Sequence, residues 1–377
     1  MANVFTNLAA DIYVAAEKVG AELVGGVGAV RINSGSQQAA KGDTVRSAFT
    51  QPQTVSTTYA PSMTIPEGTD QTVDNKTMSL NTYASIQIPY TGEDIKHLNN
   101  GAGYETVYGN QIEQAMRSIR NKIELDLMLH LGQNAGNAYG TAGTTPYATN
   151  MNDLPNIMKL LLDRGCPDDG NITGIYDTTA AVNIQNLSNL FKVNEAGDSA
   201  LLRRGVLGQL YNVILARSAQ VARPAVGTAA SYVLDGAHAA GAKSITVKTG
   251  TGTLVAGDVV TINSVKYVVN TGLAAAGTFT IQSGLVAAGS DGDTVTLSAI
   301  SRRNVVLHKD AAELAMRPLA NPINGDAAVD VIDVRDPVSG LVFRLSAYKG
   351  FHKAMIEIGV LYGYKLWLPD FAAIHLG

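Results

Sequence analysis

The spacing of apolar and polar residues changes several times along this chain, and each change marks a different kind of element. Over residues 104–132, Val107, Tyr108, Ile112, Met116, Ile119, Ile123, Leu127 and Leu131 recur at helical steps along one stripe. The spacing predicts a long spine-like helix, stopped at Gly132, with Glu113 and Arg117 as an i,i+4 pair on its polar face. Just before it, Met78, Leu80, Ala84, Ile86 and Ile88 fall on alternate positions, a period of two that predicts extended chain. From Thr44 onward the chain is rich in Thr and Ser, with prolines at 52, 61 and 66 that suit strand edges. Residues Thr44 to Tyr90 therefore read as the two arms of a long hairpin. A lone two-stranded ribbon is marginal in water, so such a hairpin needs a partner surface.

Elsewhere the pattern is more broken. Leu8, Ile12, Val19 and Leu23 mark a helix-prone N-terminal arm, which the glycine-rich stretch 24–30 should interrupt. Residues 151–165 predict an amphipathic helix and 171–177 a short strand. Residues 178–191 predict a third helical piece with Ile184, Leu187 and Phe191 on one side, and 205–222 a turn followed by a strand. Between about Ala225 and Ile300 the texture becomes short alternating runs split by Gly, Asp and Ala turns. About six strands in an antiparallel sheet or barrel are expected there, inserted into a mixed α+β host. Residues 327–350 predict a hairpin turning at Pro337–Gly340. In 304–317, Asn304–Leu307 reads as a strand, and a helix is expected from Asp310, with Asp310 and Glu313 at its N-terminus and Pro318 ending it.

Composition narrows the function classes. A chain of 377 residues implies one elaborated domain or two to three subdomains. Only 16% of it is charged, so the surface is rich in Ser, Thr, Asn and Gly and suits protein contacts. A net charge of −4 argues against a nucleic-acid binder driven by phosphate neutralisation. Cys166 is the only cysteine, which excludes an intrachain disulfide or a cysteine metal cage. The first twenty residues lack the basic and apolar regions of a signal peptide, and no stretch approaches a membrane span. The expectation is a chain made in the cytoplasm with no membrane partner.

Candidate chemistry is sparse. His97, His130, His238, His308, His352 and His375 form no HxH, HxxxH or HExxH spacing. His308, Lys309 and Asp310 stand in a row, a base, a cation and an acid, but read as a strand-to-helix junction. The glycine-rich run 250–258 lacks the Lys-Ser/Thr ending of a phosphate loop and lies between strands. Asp168–Asp169 and Ser290–Asp293 lack calcium-loop spacing and read as solvated turns. Asp330 and Asp333, with Asp336 nearby, point to opposite faces of a strand because their separation is odd. No GxSxG occurs and Cys166 has no nucleophile signature. The aromatics of the β insert, chiefly Tyr232, Tyr267 and Phe279, are too few for a sugar-stacking platform. The expectation is no enzyme, no cofactor, and no catalytic, cofactor-binding or metal residue.

"NVVLHKDAAELAMRPL" (304–319), followed by "DPVSGLVFRLSAY" (336–348) and "GVLYGYKLWLPDFAAI" (359–374), resembles the C-terminal third of tailed-bacteriophage major capsid proteins. The likeness is greatest to the podovirus coat proteins that carry an inserted β domain. "MSLNTYASIQIPYTGEDI" (78–95), "GVLGQLYNVILARSAQVA" (205–222) and "GTLVAGDVVTINSVKYVV" (252–269) are similar, in the same order, to that family's extended loop leading into the spine helix, the strand closing its first axial segment before the insert, and the insert's central hairpin.

The resemblance implies the Hong Kong 97 fold. It would place an N-terminal arm at 1–45 and an extended loop at 46–90. A peripheral domain would span 91–150 and 325–360, and an axial domain 151–224, 301–324 and 361–377, with the β insert at 225–300. It further implies a virion protein assembled in the host bacterial cytoplasm into hexamers and pentamers of an icosahedral shell. Implied partners are a separate scaffolding protein, a portal, and packaged double-stranded DNA held without sequence-specific binding. An encapsulin-like shell is the alternative of the same fold.

Overall fold

A computed structural model describes residues 25–35, 37–50, 60–65, 73–94, 104–187, 208–322, 325–335 and 340–377. Leu8, Ile12, Val19, Leu23, His97, Phe191 and Asp336 lie outside the described residues. The chain enters through a single helical turn, α1 (Gly26–Ala29). The stretch expected to exclude helix thus holds one turn, because an acid distant in sequence supplies its cap. The Gly26 and Val27 N–H groups donate to the two Glu124 carboxylate oxygens at 2.7 and 3.0 Å. β1 (Arg31–Ser34) follows, then β2 (Thr44–Thr50) and β3 (Val73–Ser79), which pair antiparallel as a sheet of two strands.

The predicted hairpin is shorter than its alternating pattern implied. β4 (Thr82–Thr91) leaves it after Leu80 and pairs along its whole length with residues Lys353 to Tyr362. The period of two in 78–88 thus runs across two sheets. Met78 and Leu80 serve one apolar cluster, whereas Ile86 and Ile88 face another.

The stripe of the long helix folds as α2 (Tyr104–Asn134). Ile112, Met116, Ile119, Ile123, Leu127 and Leu131 are all buried along it. The helix runs two residues past Gly132, which does not stop it. That glycine gives clearance, since a Cβ there would lie 2.9 Å from the Arg303 side chain. Glu113 and Arg117 do pair, at 2.9 Å, but Glu113 is buried, so the pair sits at the core boundary and not on a solvent face. Beyond α2 come β5 (Asn137–Gly140), α3 (Asp153–Asp163), β6 (Ile172–Tyr176) and α4 (Thr178–Asn186). Asp177 caps α4 by accepting the Ala180 N–H at 3.1 Å. β7 (Gln209–Leu210) and β8 (Val213–Arg217) form a hairpin whose two turn residues, Tyr211 and Asn212, have φ of 50° and 63°.

Six short strands then close on themselves: β9 (Tyr232–Leu234), β10 (Ser244–Lys248), β11 (Val259–Ile262), β12 (Val265–Thr271), β13 (Gly277–Ile281) and β14 (Thr294–Leu297). Neighbours run antiparallel in the order β11-β14-β9-β10-β13-β12, and β12 returns to β11. The ring is a small barrel with its own apolar filling, which includes Ile245, Val247, Val260, Val269 and Ile281. Tyr232, Tyr267 and Phe279 point into it, so they are core and not a binding platform.

The last part of the chain builds two sheets. β15 (Arg303–His308) and β20 (Ala372–Leu376) complete the order β5-β20-β15-β6-β8-β7, to which the barrel is joined through β12 and β5. This sheet is covered on both faces. Val305, Leu307, Ile374 and Ile175 turn toward α2, while Val306, Ala373, Ile172 and Tyr176 turn toward α3 and α4. Strands buried on both sides lose hydrophobic alternation, hence the unbroken apolar run at 305–307.

The second sheet contains β16 (Ala312–Arg317), β17 (Ala328–Arg335), β18 (Val342–Lys349) and β19 (Lys353–Leu366). Leu361 and Tyr362 of β19 pair with β16 on one side and with β4 on the other. The boundary anticipated between 360 and 361 therefore falls inside an uninterrupted strand.

The helix expected from Asp310 is absent. One 3₁₀ turn, Lys309–Ala311, leads straight into β16, which pairs in parallel with β1 and antiparallel with β19. Ala312 to Met316 are all buried, so the segment has no polar face to set a period, and Ala, Leu and Met mimic a helix. Pro318 therefore ends a strand. β17 and β18 form the expected hairpin, and Asp333 makes a two-point pair with Arg344 at 2.9 and 3.1 Å.

Candidate assembly surface

The β2–β3 hairpin has a greasy foot, and the described residues between its arms, 60–65, are exposed. At its foot Met78 and Leu80 are buried with Ala39, Ala315, Leu361 and Trp367. Backbone bonds lock the same place, Gly42 N–H to Leu80 O at 2.8 Å and Leu80 N–H to Asp43 O at 2.9 Å. Farther out the ribbon pairs with no third strand among the described residues. Residues 60–65, which lie between its arms in sequence, are exposed throughout, with Met63 at 105% and Ile65 at 91%. Covering each such side chain is worth about 1.5–3 kcal/mol, a gain this subunit does not realise alone.

Other apolar groups are left uncovered on the body. A groove of about 570 Å³ runs between β4 and α2; its apolar wall is the half-buried Ile86 and the buried Ile88 and Ala115, with Pro89, Gln111 and Gln114 at its rim. Phe351 stands 91% exposed at the β18–β19 turn, beside His352 at φ 52°. Edge strand β17 shows Val329 and Val331 to solvent, and the β7–β8 hairpin shows Tyr211 and Ile214.

The residues singled out for chemistry do not converge. His308 is buried, and its Nδ1 accepts the Asp310 N–H at 3.2 Å. Its Nε2 then carries the hydrogen and donates to Asp169 Oδ1 at 3.1 Å. Lys309 and Asp310 are exposed, so the triplet is a junction stitched to the 168–171 turn. Asp169 is held down at about 2, first by the Asn171 donors and only then by His308. Asp168 accepts from Asn212 at 2.6 Å. Asp291 takes the Gly236 N–H and the Lys248 ammonium, and Asp293 takes the Ser290 N–H and Asn263; each is a turn lock. Burial pushes the Cys166 thiol up to about 11, away from nucleophilic reactivity. Among the described residues no group of three or more His, Cys, Asp or Glu side chains is placed to hold a metal. No helix there is long and apolar enough to cross a membrane.

Two buried polar clusters escaped the sequence. The Tyr147 hydroxyl lies 2.6 Å from that of Tyr176, and His375 packs edge-on to both rings. His375 Nε2 faces Asp153 Oδ2 at 3.3 Å, and burial drives both phenols above their ordinary range. Glu313, sealed between β1, β16 and the end of β19, accepts from Asn33 and Trp367. No local spacing announces either cluster, because their members come from elements far apart in the chain.

No family model matches the chain, and no curated protein matches it. Solved structures do share its backbone path in part. One from Mycobacterium phage Che8 has 14% identity and a TM-score of 0.48, over 89% of this chain and 85% of that one. The capsid structure of the cyanophage P-SCSP1u has 11% identity and a TM-score of 0.49, over 92% and 86%. The virus-like particle from Pyrococcus furiosus has 6% identity and a TM-score of 0.46, over 98% and 100%. In each case the likeness is one of chain path, with a TM-score under 0.5.

Proposed function

We propose that this chain is a shell-forming structural subunit, the major capsid protein of a tailed bacteriophage. The observation that carries the reading is the β2–β3 hairpin, anchored by Met78 and Leu80 at its foot, with Met63 and Ile65 in water beyond it. An excursion of this kind is stable when its outer part lies on a neighbouring copy. The sequence resemblance of 304–319, 336–348 and 359–374 to phage coat proteins supports the same reading.

The finer reading follows from that resemblance. The subunit adopts the Hong Kong 97 arrangement, with α2 as spine helix and the β9–β14 barrel as its inserted domain. Hexamers and pentamers close an icosahedral shell around double-stranded DNA, with a separate scaffolding protein and a portal, in the host cytoplasm. Its work is contact, not catalysis.

Electron microscopy and sedimentation of the purified chain, alone and with a scaffolding partner, test this. Closed shells or capsomers are expected, and a persistent monomer under both conditions overturns it. The contents of shells purified from their natural source separate a phage capsid, which holds DNA, from an encapsulin-like shell, which holds protein cargo. Deleting residues 53–76 is expected to leave a folded subunit that no longer assembles.

A further inference from the structure

The buried cluster of Tyr147, Tyr176 and His375 backs onto a cavity. About 430 Å³ of space opens between the end of β5, the loop 141–146, α3, the β11–β12 turn and the end of β20. That volume lies in the range of small-molecule sites, about 300–1,000 Å³. Asp153 of α3, Lys266 of β12 and His375 of β20 converge on it from three separate elements.

The histidine wall is held in place. The His375 ring packs edge-on to Tyr147 and Tyr176, with centroids 5.2 and 6.1 Å away, and its Nε2 faces Asp153 Oδ2 at 3.3 Å. Tyr147 supports it from a backbone at φ 59°, a left-handed conformation rare for a bulky residue. Gly140, at φ 86°, keeps the ring edge clear, since a Cβ there would lie 2.9 Å from His375 Cδ2 and 3.3 Å from Nε2. Room is thus left beside a fixed imidazole.

Charge and hydroxyls define what fits. Asp153 and His375 answer each other, whereas the half-buried Lys266 ammonium has no carboxylate partner among the described residues. Thr141, Thr144 and Ser264 bring hydroxyls, which both donate and accept, and Leu160 and Val265 bring apolar surface. A sugar acid combines the matching groups: a carboxylate, several hydroxyls and C–H faces. Asp153 repels the carboxylate and accepts hydroxyls, so the acidic end is directed to Lys266.

We infer that this cavity binds a monosaccharide-sized sugar acid, with its carboxylate on Lys266 and its hydroxyls toward Asp153 and the Thr and Ser side chains. An occupant also ties the barrel to the sheet beside it, because Lys266 belongs to one and His375 to the other. The site does not depend on the shell reading, since ligand uptake and assembly are separate readouts.

Equilibrium dialysis of radiolabelled glucuronate against the full chain, at ionic strength matched with chloride, tests it. Saturable uptake is expected, and unlabelled glucuronate should displace the label about tenfold more effectively than neutral glucose. Lys266→Gln should weaken uptake about tenfold or more, the worth of one charge-assisted contact. Thr144→Val, at an exposed loop position, should weaken it about threefold, the worth of one neutral hydrogen bond. Lys353→Gln, exposed on β19 in the other sheet, should bind like the parent. No saturable uptake, equal displacement by glucose, or an equal effect of Lys266→Gln and Lys353→Gln overturns the proposal.

Discussion

The indole N–H of Trp367 donates to Glu313 Oε2 at 2.8 Å, in an interior where both side chains are sealed from water. The other carboxylate oxygen takes the Asn33 amide at 2.7 Å. One acid thus closes the gap between β1, β16 and the chain leaving β19. Glu313→Ala leaves the buried Trp367 N–H and the half-buried Asn33 amide without their acceptor. It is expected to destabilise the subunit by about 2–4 kcal/mol in urea unfolding, and Trp367→Phe by less.

His130 gives the fold a pH dependence. Burial, and then the Lys365 charge, lower it from 6.5 to about 4. Its ring takes the Leu366 N–H at Nε2, 3.3 Å away. Between those two values the unfolded chain binds the proton and the folded one does not, so stability rises with pH across the window. It is complete above 6.5 and is lost as pH falls toward about 4, by about 3 kcal/mol at most. Urea midpoints between pH 4 and 7 should show this slope in the parent and a flatter one in His130→Gln; equal slopes would contradict it.

Foot and tip of the hairpin should respond oppositely. Leu80→Ala, at a fully buried position, is expected to lower stability by about 2–5 kcal/mol. Met63→Ser with Ile65→Ser should leave unfolding within about 0.5 kcal/mol of the parent. The tip pair should still stop shell formation in light scattering. An assembling tip variant would remove these side chains from any subunit contact.

Arg303 is fully buried, and its guanidinium nitrogens have no protein hydrogen-bond acceptor. Burial pushes it down to about 10, and Asp258, also buried, opposes that. Replacing such a charge with an apolar chain of similar length removes the desolvation penalty. Arg303→Met together with Asp258→Asn, which removes both charges, is expected to be neutral or stabilising by about 1–2 kcal/mol, and Asp258→Asn alone destabilising, since it strands the cation. Thermal unfolding of both variants checks the signs.

What the sequence reveals depends on how many faces an element buries. α2 has one apolar face and one wet face, so its stripe could be read from Ile112 to Leu131. The barrel strands alternate because one side faces its filling, as Ile245, Val247, Val260 and Ile262 show. β16 is enclosed on every side, so its periodicity vanished and its Ala and Leu content pointed to a helix. The cluster of Tyr147, Tyr176 and His375 was equally invisible, since its members come from positions far apart in the chain.

The double pairing at Leu361 and Tyr362 also has a mechanical consequence. A strand laddered on both sides at one point cannot slide by a residue without tearing two sets of bonds at once. β19 is therefore a tie-rod. A pull on Phe351, at the far end of the β18–β19 turn, is carried through a strand of 14 residues toward Trp367 without loss of register. Whatever grips the exposed end of that rod moves the interior at the other.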